Sequence, residues 1–134
     1  MIVLDASAAL ELLLRSPTGL EVEARVLTPE ESLHVPHLID LEVLQILRRY
    51  VLHEELEADR ALEALQDFAD LPLERYPHES FAQRIWELRH NLTAYDGAYV
   101  ALAEVLGAPL LTADGPLARS SGHRARMEVF GRQP

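Results

Sequence analysis

Four carboxylates, drawn from widely separated parts of the chain, carry the chemistry this sequence can do. Two of them bracket residues 93–115, TAYDGAYVALAEVLGAPLLTADG. Asp96 stands near the start of what reads as a helix, and Asp114 just past a short buried strand. Tyr95, Tyr99, Leu102 and Leu106 recur at spacings of three and four, the period of one helical face. Gly107 and Pro109 stop that helix, and residues 109–112 suit a short parallel strand covered on both sides. A helix of about 11 residues descends ~16 Å at ~1.5 Å per residue. About five extended residues climb back ~16 Å at ~3.3 Å each. Asp96 and Asp114 are therefore expected to finish level, on one edge of a sheet. Asp5 closes the first apolar run, and Glu42 lies in the second turn of the helix after the second strand, so both belong to the same rim.

Singly, each of these side chains has an ordinary structural reading. Asp5 can cap the first helix, and Asp114 before Gly115-Pro116 is a cap followed by first-turn proline. Thr93 and Asp96 stand in capping-box spacing, and Glu42 can be a solvated helix position. The set is different. Two carboxylates ~4 Å apart at an effective dielectric near ~20 repel by ~4 kcal/mol, against ~1 kcal/mol for a cap. Several on one rim must unfold it, protonate or hold a cation. The chain has no cysteine, and its histidines show no ligand spacing, so the donors are oxygen alone. Oxygen-only coordination selects a hard divalent ion, magnesium or manganese.

The elements that must position these groups follow in order. Residues 2–4 read as a buried strand and residues 6–15 as a helix rich in Ala and Leu. Residues 16–19 (SPTG) read as punctuation before a short helix at 20–27 and a loop at 28–32. Residues 33–35 read as a second strand ended by Pro36. Residues 37–52 form a helix with Leu41, Leu44, Ile46 and Leu47 toward the core, and an amphipathic helix runs from about Glu55 to Phe68. Residues 71–76 suit an edge strand because of their proline, and residues 79–90 a helix carrying Phe81, Ile85, Trp86 and Leu88. A short helix at 116–120 and a strand at 127–130 complete the chain. This alternation predicts a parallel, doubly wound α/β sheet, in which ligands bind outside the carboxyl ends of the strands.

Composition bounds the rest. The 134 residues suit one domain, 1–134, with a single core, and a hydrophobic fraction of 49% suits a soluble globule. No apolar run approaches the ~20 residues that span a bilayer. The start, Met1-Ile2-Val3-Leu4-Asp5, is not that of a signal peptide, and the chain reads as cytoplasmic, with no membrane partner. The net charge is -10, and all 12 basic residues are arginine. The absence of lysine excludes Schiff-base and P-loop chemistry. Acidity on this scale opposes encounter with nucleic acid and favours a cation or a basic protein partner.

Four segments together match a family: IVLDASAAL, VPHLIDLEVLQILRR, LTAYDGAYVALAE and LLTADGPLA. Their order and spacing resemble the PIN-domain ribonucleases, and most closely the VapC-type toxins of type II toxin–antitoxin pairs. The resemblance covers nearly the whole chain and implies a three-layer α/β/α fold with a central, mostly parallel sheet of about 4–5 strands. It places the family's acidic quartet on Asp5, Glu42, Asp96 and Asp114, with Ser7 and Thr112 at the supporting hydroxyl positions. Leu117 stands where some relatives carry a further acidic residue, a departure that bears on any second metal. The implied protein is an Mg²⁺-dependent endoribonuclease (Mn²⁺ substituting), dimeric, and silenced by a cognate antitoxin. Asp5 and Asp96 would bind the metal directly, and Asp114 and Glu42 through water. Attack by metal-activated water would leave a 5′-phosphate and a 3′-hydroxyl.

What grips RNA is less specific. Arg89, Arg119 and Arg124, with His90, His123 and Arg126 nearby, can contact phosphates or simply form a solvated surface. Trp86, Tyr95 and Tyr99 can stack on bases, although their helical spacing favours core packing. An arginine-rich antitoxin would suit the acidic rim, and the helices from His37 and from Glu55 carry enough apolar residues for a groove or dimer face. Two other classes share features with this chain. Haloacid-dehalogenase and receiver-type phosphotransfer domains also place aspartate after the first strand, but they need a lysine, and the former a second aspartate where this chain has Ser7. A non-catalytic protein-binding module with an acidic metal-binding rim is the alternative that survives.

Overall fold

The first apolar run becomes the middle of the sheet. In the computed structural model, which describes residues 1–131, β1 (Ile2–Leu4) is wholly buried between β2 (Leu33–Pro36) and β4 (Leu110–Thr112). Residues 132–134 of the expected domain lie outside the described residues. Outward from β2 comes β3 (Leu73–Tyr76), and outward from β4 comes β5 (Met127–Val129). The order is β3-β2-β1-β4-β5 with every pairing parallel. Register is direct: Val3 lies opposite both His34 and Leu110, and Leu4 opposite Leu111. Short runs of Ile, Val and Leu suffice because helices cover both faces, giving the three-layer α/β/α architecture. Pro72 sits just before β3 at the sheet edge, where a missing N–H costs no ladder bond.

The helices are α1 (Ala6–Leu14), α2 (Pro17–Val26), α3 (Ile39–Leu52), α4 (Ala58–Asp70), α5 (Ala82–Glu87), α6 (Ala94–Leu106) and α7 (Gly115–Ala118), with a 3-10 turn at Glu79–Phe81. α6 is the most buried of the longer ones; its residues 97–103 are all in the core. It ends on Gly107 in the left-handed region (φ 62), as its sequence implies. No helix among the described residues is long and apolar enough to cross a membrane.

Three expectations are corrected here. Residues 17–19 are the first turn of α2 rather than punctuation: Ser16 caps the helix, Pro17 takes its first position, and Gly19 presses against α1. A Cβ on Gly19 would stand 1.9 Å from the Glu11 carbonyl oxygen, so the glycine serves helix contact, not chain reversal. In α3 the core stripe is Ile39, Val43 and Leu47, whereas Leu41 and Leu44 are 68% and 47% exposed. Leucine on both sides of this helix made its phase ambiguous. The helix expected over 79–90 breaks into the 3-10 turn and α5, anchored by Phe81 and Leu88, and leaves Trp86 67% exposed.

A candidate active site where the strand order reverses

Successive strands run outward from β1 on one side and from β4 on the other, so a crevice opens at the carboxyl ends of these two neighbours. Asp5 is the first residue past β1. Its backbone N–H still pairs with Leu111 on β4, while its side chain already caps α1, with Oδ1 accepting from the Ala8 N–H at 2.9 Å. The Ser7 hydroxyl donates to the same Oδ1 at 2.7 Å. Ser7 Oγ in turn accepts from the Ala113 N–H at 2.9 Å and lies 3.3 Å from Thr112 Oγ1. Thr112 Oγ1 accepts from the Asp114 N–H at 2.9 Å, and Asp114 caps α7 by accepting from the Leu117 N–H at 3.2 Å. Two hydroxyls thus tie the turn after β1 to the turn after β4 and fix where both aspartates sit.

The other two carboxylates arrive on helices. Asp96 is in the first turn of α6, whose cap is Thr93; the Asp96 N–H donates to Thr93 Oγ1 at 3.1 Å. Glu42 is in the first turn of α3 and accepts from the Tyr99 hydroxyl at 2.5 Å. The structure brings all four together: Asp5, Glu42, Asp96 and Asp114 line one cavity of about 140 Å³ with Ala6, Ser7, Ile46 and Tyr99. Cap and site readings therefore coincide at Asp5 and Asp114. Tyr99, counted by its spacing as core, contributes its hydroxyl to the cavity; the available signal was that a buried phenol needs a polar partner.

Among the described residues no arginine or histidine lines this cavity, and the chain has no lysine. Burial pushes the Asp5 carboxyl up to about 6, partly offset by its bonds from Thr112, Ala8 and Ser7, with Asp114 adding a smaller upward push. Burial also raises Glu42, against the Tyr99 bond and with help from Asp96 and Asp5. It raises Asp96 as well, with help from Asp114 and against its bond with Thr93. Burial and the Glu42 charge push the Tyr99 phenol up, so it remains a donor. Asp5, Glu42 and Asp96 are thus each biased toward the protonated form, chiefly by burial. The donor set is all oxygen and suits a hard divalent ion. As the side chains stand, no three Asp, Glu or His among the described residues are drawn tightly enough to cage one unaided.

The arginines lie outside the cavity. Arg89 stacks over the Trp86 ring at 4.6 Å and borders a larger hollow of about 710 Å³ with Thr93 and Ala94, at the start of α6. That hollow holds none of the four carboxylates, so the candidate site is the smaller cavity. Arg119 ends α7, the helix Asp114 begins. Arg124 is exposed, and its backbone N–H donates to Glu104, which also holds Arg84. Tyr95, like Trp86, is on the surface, at 62% exposure.

Known proteins bear on this arrangement. Residues 2–121 match the family profile described as the PIN domain. The chain is 46% identical to Ribonuclease VapC12 of Mycobacterium tuberculosis over 129 residues, covering 96% of this chain and 98% of the relative. It is 49% identical to Ribonuclease VapC9 of the same organism over 114 residues, covering 85% and 86%. Among solved structures, VapBC2 from Rickettsia felis, bound to a DNA fragment from their promoter, superposes with a TM-score of 0.63. That match covers 98% of this chain and 100% of the other at 15% identity, and it speaks to fold alone.

Proposed function

The chain belongs to the PIN-domain family, among the VapC ribonucleases, and from that premise we propose that it is a metal-dependent endoribonuclease acting as the toxin of a toxin–antitoxin pair. The observation that carries the reading is the convergence of Asp5, Glu42, Asp96 and Asp114, from four separate segments, on one cavity that no cationic side chain among the described residues lines. These four would hold Mg²⁺, or Mn²⁺ in its place, with water completing the shell. When bound, the ion would acidify a water and offset charge on the scissile phosphate.

The remaining work is the chain's own. Ser7 and Thr112 orient Asp5 and lock the two turns that carry Asp5 and Asp114, which leaves Glu42 and Asp96, on their helices, to close in on the ion. Asp5, at about 6, must lose its proton to bind a cation, so binding and cleavage should strengthen as pH rises through that value. Arg89, near the start of α6, and Arg119, at the end of α7, are the phosphate contacts this reading places nearest the rim, supplying locally the positive charge that a net -10 lacks globally, whereas Arg124, tied by its backbone to Glu104 in the last turn of α6, stands apart from it. The direct test is cleavage of a mixed pool of transfer, ribosomal and messenger RNA by the purified protein. Cutting should require added Mg²⁺ and stop with EDTA; cutting that persists in EDTA would overturn metal dependence. Ion binding with no turnover on any RNA would select the protein-binding module instead.

A cognate antitoxin and a second copy of this chain are the proposed protein partners. α3 offers the surface for one of them. Leu44, Arg48, Val51 and Leu52 line a hollow of about 290 Å³ with Ala61 and Leu65 of α4. An apolar helix carrying an arginine-rich tail would fill it and reach the acidic rim. Leu44→Glu, at an exposed position, should leave cleavage intact and weaken partner binding at least ~10-fold, since it removes an apolar contact and sets a carboxylate that must be desolvated, even with Arg48 one turn along, where an apolar helix would pack. Sedimentation of the wild-type and variant chains, with and without the antitoxin, reads both partners. A single-copy mass for the free chain would remove the homodimer, and unchanged antitoxin affinity would remove this groove.

A further inference from the structure

Tyr99 is 1% exposed, and its ring is part of the core behind the sheet edge. It follows Asp96 by three residues on α6, so both side chains belong to one helix face. A buried tyrosine commonly satisfies its hydroxyl on a backbone carbonyl or water. Here it meets a carboxylate on a different helix, Glu42 Oε1 at 2.5 Å. Among the described residues this is the one hydrogen bond to the Glu42 carboxylate. Glu42 itself stands between two openings. It lines the acidic cavity, and it also lines the neighbouring apolar groove of Leu38, Leu41, Gln45, Ile46 and Tyr95. A flexible glutamate in that position has a choice of rotamers, and nothing on its own helix directs it inward.

We propose that Tyr99 is a positioning residue: its buried hydroxyl holds the Glu42 carboxylate in the acidic cavity rather than over the adjoining groove. The proposal rests on the reading of that cavity as a metal-dependent nuclease centre. It gives the phenol a role through Glu42 alone, with no contact to substrate. Phenylalanine at 99 would keep the ring in the core and leave a half-buried carboxylate without its donor, free to turn toward solvent.

The test uses the full chain as wild type, Tyr99→Phe, Glu42→Gln and the double variant, with Mn²⁺ affinity by calorimetry and RNA cleavage kinetics side by side. Tyr99→Phe should bind Mn²⁺ about 10–100-fold more weakly, the usual cost of losing a group that orients a metal ligand. kcat should fall comparably with RNA KM little changed. The double variant should be no worse than Glu42→Gln alone, because the phenol acts only through that carboxylate. Equal Mn²⁺ affinity and kcat in Tyr99→Phe and wild type would overturn the proposal while leaving the nuclease reading intact. So would effects that multiply in the double variant, or a Tyr99→Phe chain whose circular dichroism shows it unfolded, since the phenol would then be a determinant of the fold. A wild-type chain that neither binds Mn²⁺ nor cuts RNA would remove both readings together.

Discussion

Asp96→Asn is expected to give a folded protein whose RNA cleavage falls by about 10³-fold, the equivalent of the several kcal/mol that a correctly held metal contributes to the transition state. Asp96 is the cleanest member of the quartet to change. Asp5 and Asp114 each accept a backbone N–H at the start of a helix, so a change there touches both fold and chemistry. The cap of α6 belongs to Thr93, and Asp96 takes part through its backbone N–H, which asparagine retains. Its carboxylate is half-buried and held up by burial and by Asp114, so a neutral amide relieves strain in the metal-free protein. The expected signature is therefore lost turnover with an unchanged or slightly raised melting temperature. Gel-based cleavage at saturating Mg²⁺, paired with a thermal melt, checks both. Activity within tenfold of wild type would place the chemistry somewhere other than this cavity.

The sheet and the quartet were legible because both depend on short-range pattern. An apolar triplet ended by aspartate, a helix stopped by glycine and a strand of matching length put Asp5, Asp96 and Asp114 on one edge by arithmetic alone. Helix phase was not legible where apolar residues crowd both sides. α3 buries Ile39, Val43 and Leu47, but Leu41 and Leu44 offer an equally periodic stripe, and only the packing partners decide between them. The same limit hid Gly19, whose role is set by the Glu11 carbonyl across a helix pair rather than by its neighbours in sequence. Tyr99 fell between categories: its spacing marks it as core, which it is, while its hydroxyl belongs to the site. Residues that serve packing with one end and chemistry with the other cannot be sorted by periodicity.

Asp5→Asn should make the metal-free protein more stable than wild type at neutral pH, and the advantage should vanish in acid. The Asp5 carboxyl is 4% exposed, and its pKa is raised from 3.8 to about 6, chiefly by burial. A carboxyl raised on folding contributes its stability fully below the unfolded value, near 3.8, and loses it as pH climbs through about 6. At ~1.4 kcal/mol for each tenfold change in proton affinity, the loss by neutral pH is about 3 kcal/mol. Asparagine caps a helix as well as aspartate does, and its amide oxygen can still accept from Ala8 and Ser7, so the cap survives while the charge goes. In EDTA the variant should melt roughly 10 °C above wild type at pH 7.5, with the gap closing between about pH 6 and pH 4. Added Mg²⁺ should raise the wild type well above its effect on the variant, which keeps Glu42, Asp96 and Asp114 but has lost the most buried of the four carboxylates. A gap that does not change with pH, or that favours wild type in EDTA, would mean that Asp5 is held as a comfortable anion. The cavity would then have no electrostatic reason to take up a cation. On the proposed reading, the stability forgone at this one position keeps a buried carboxylate ready for an ion that the folded chain alone does not supply.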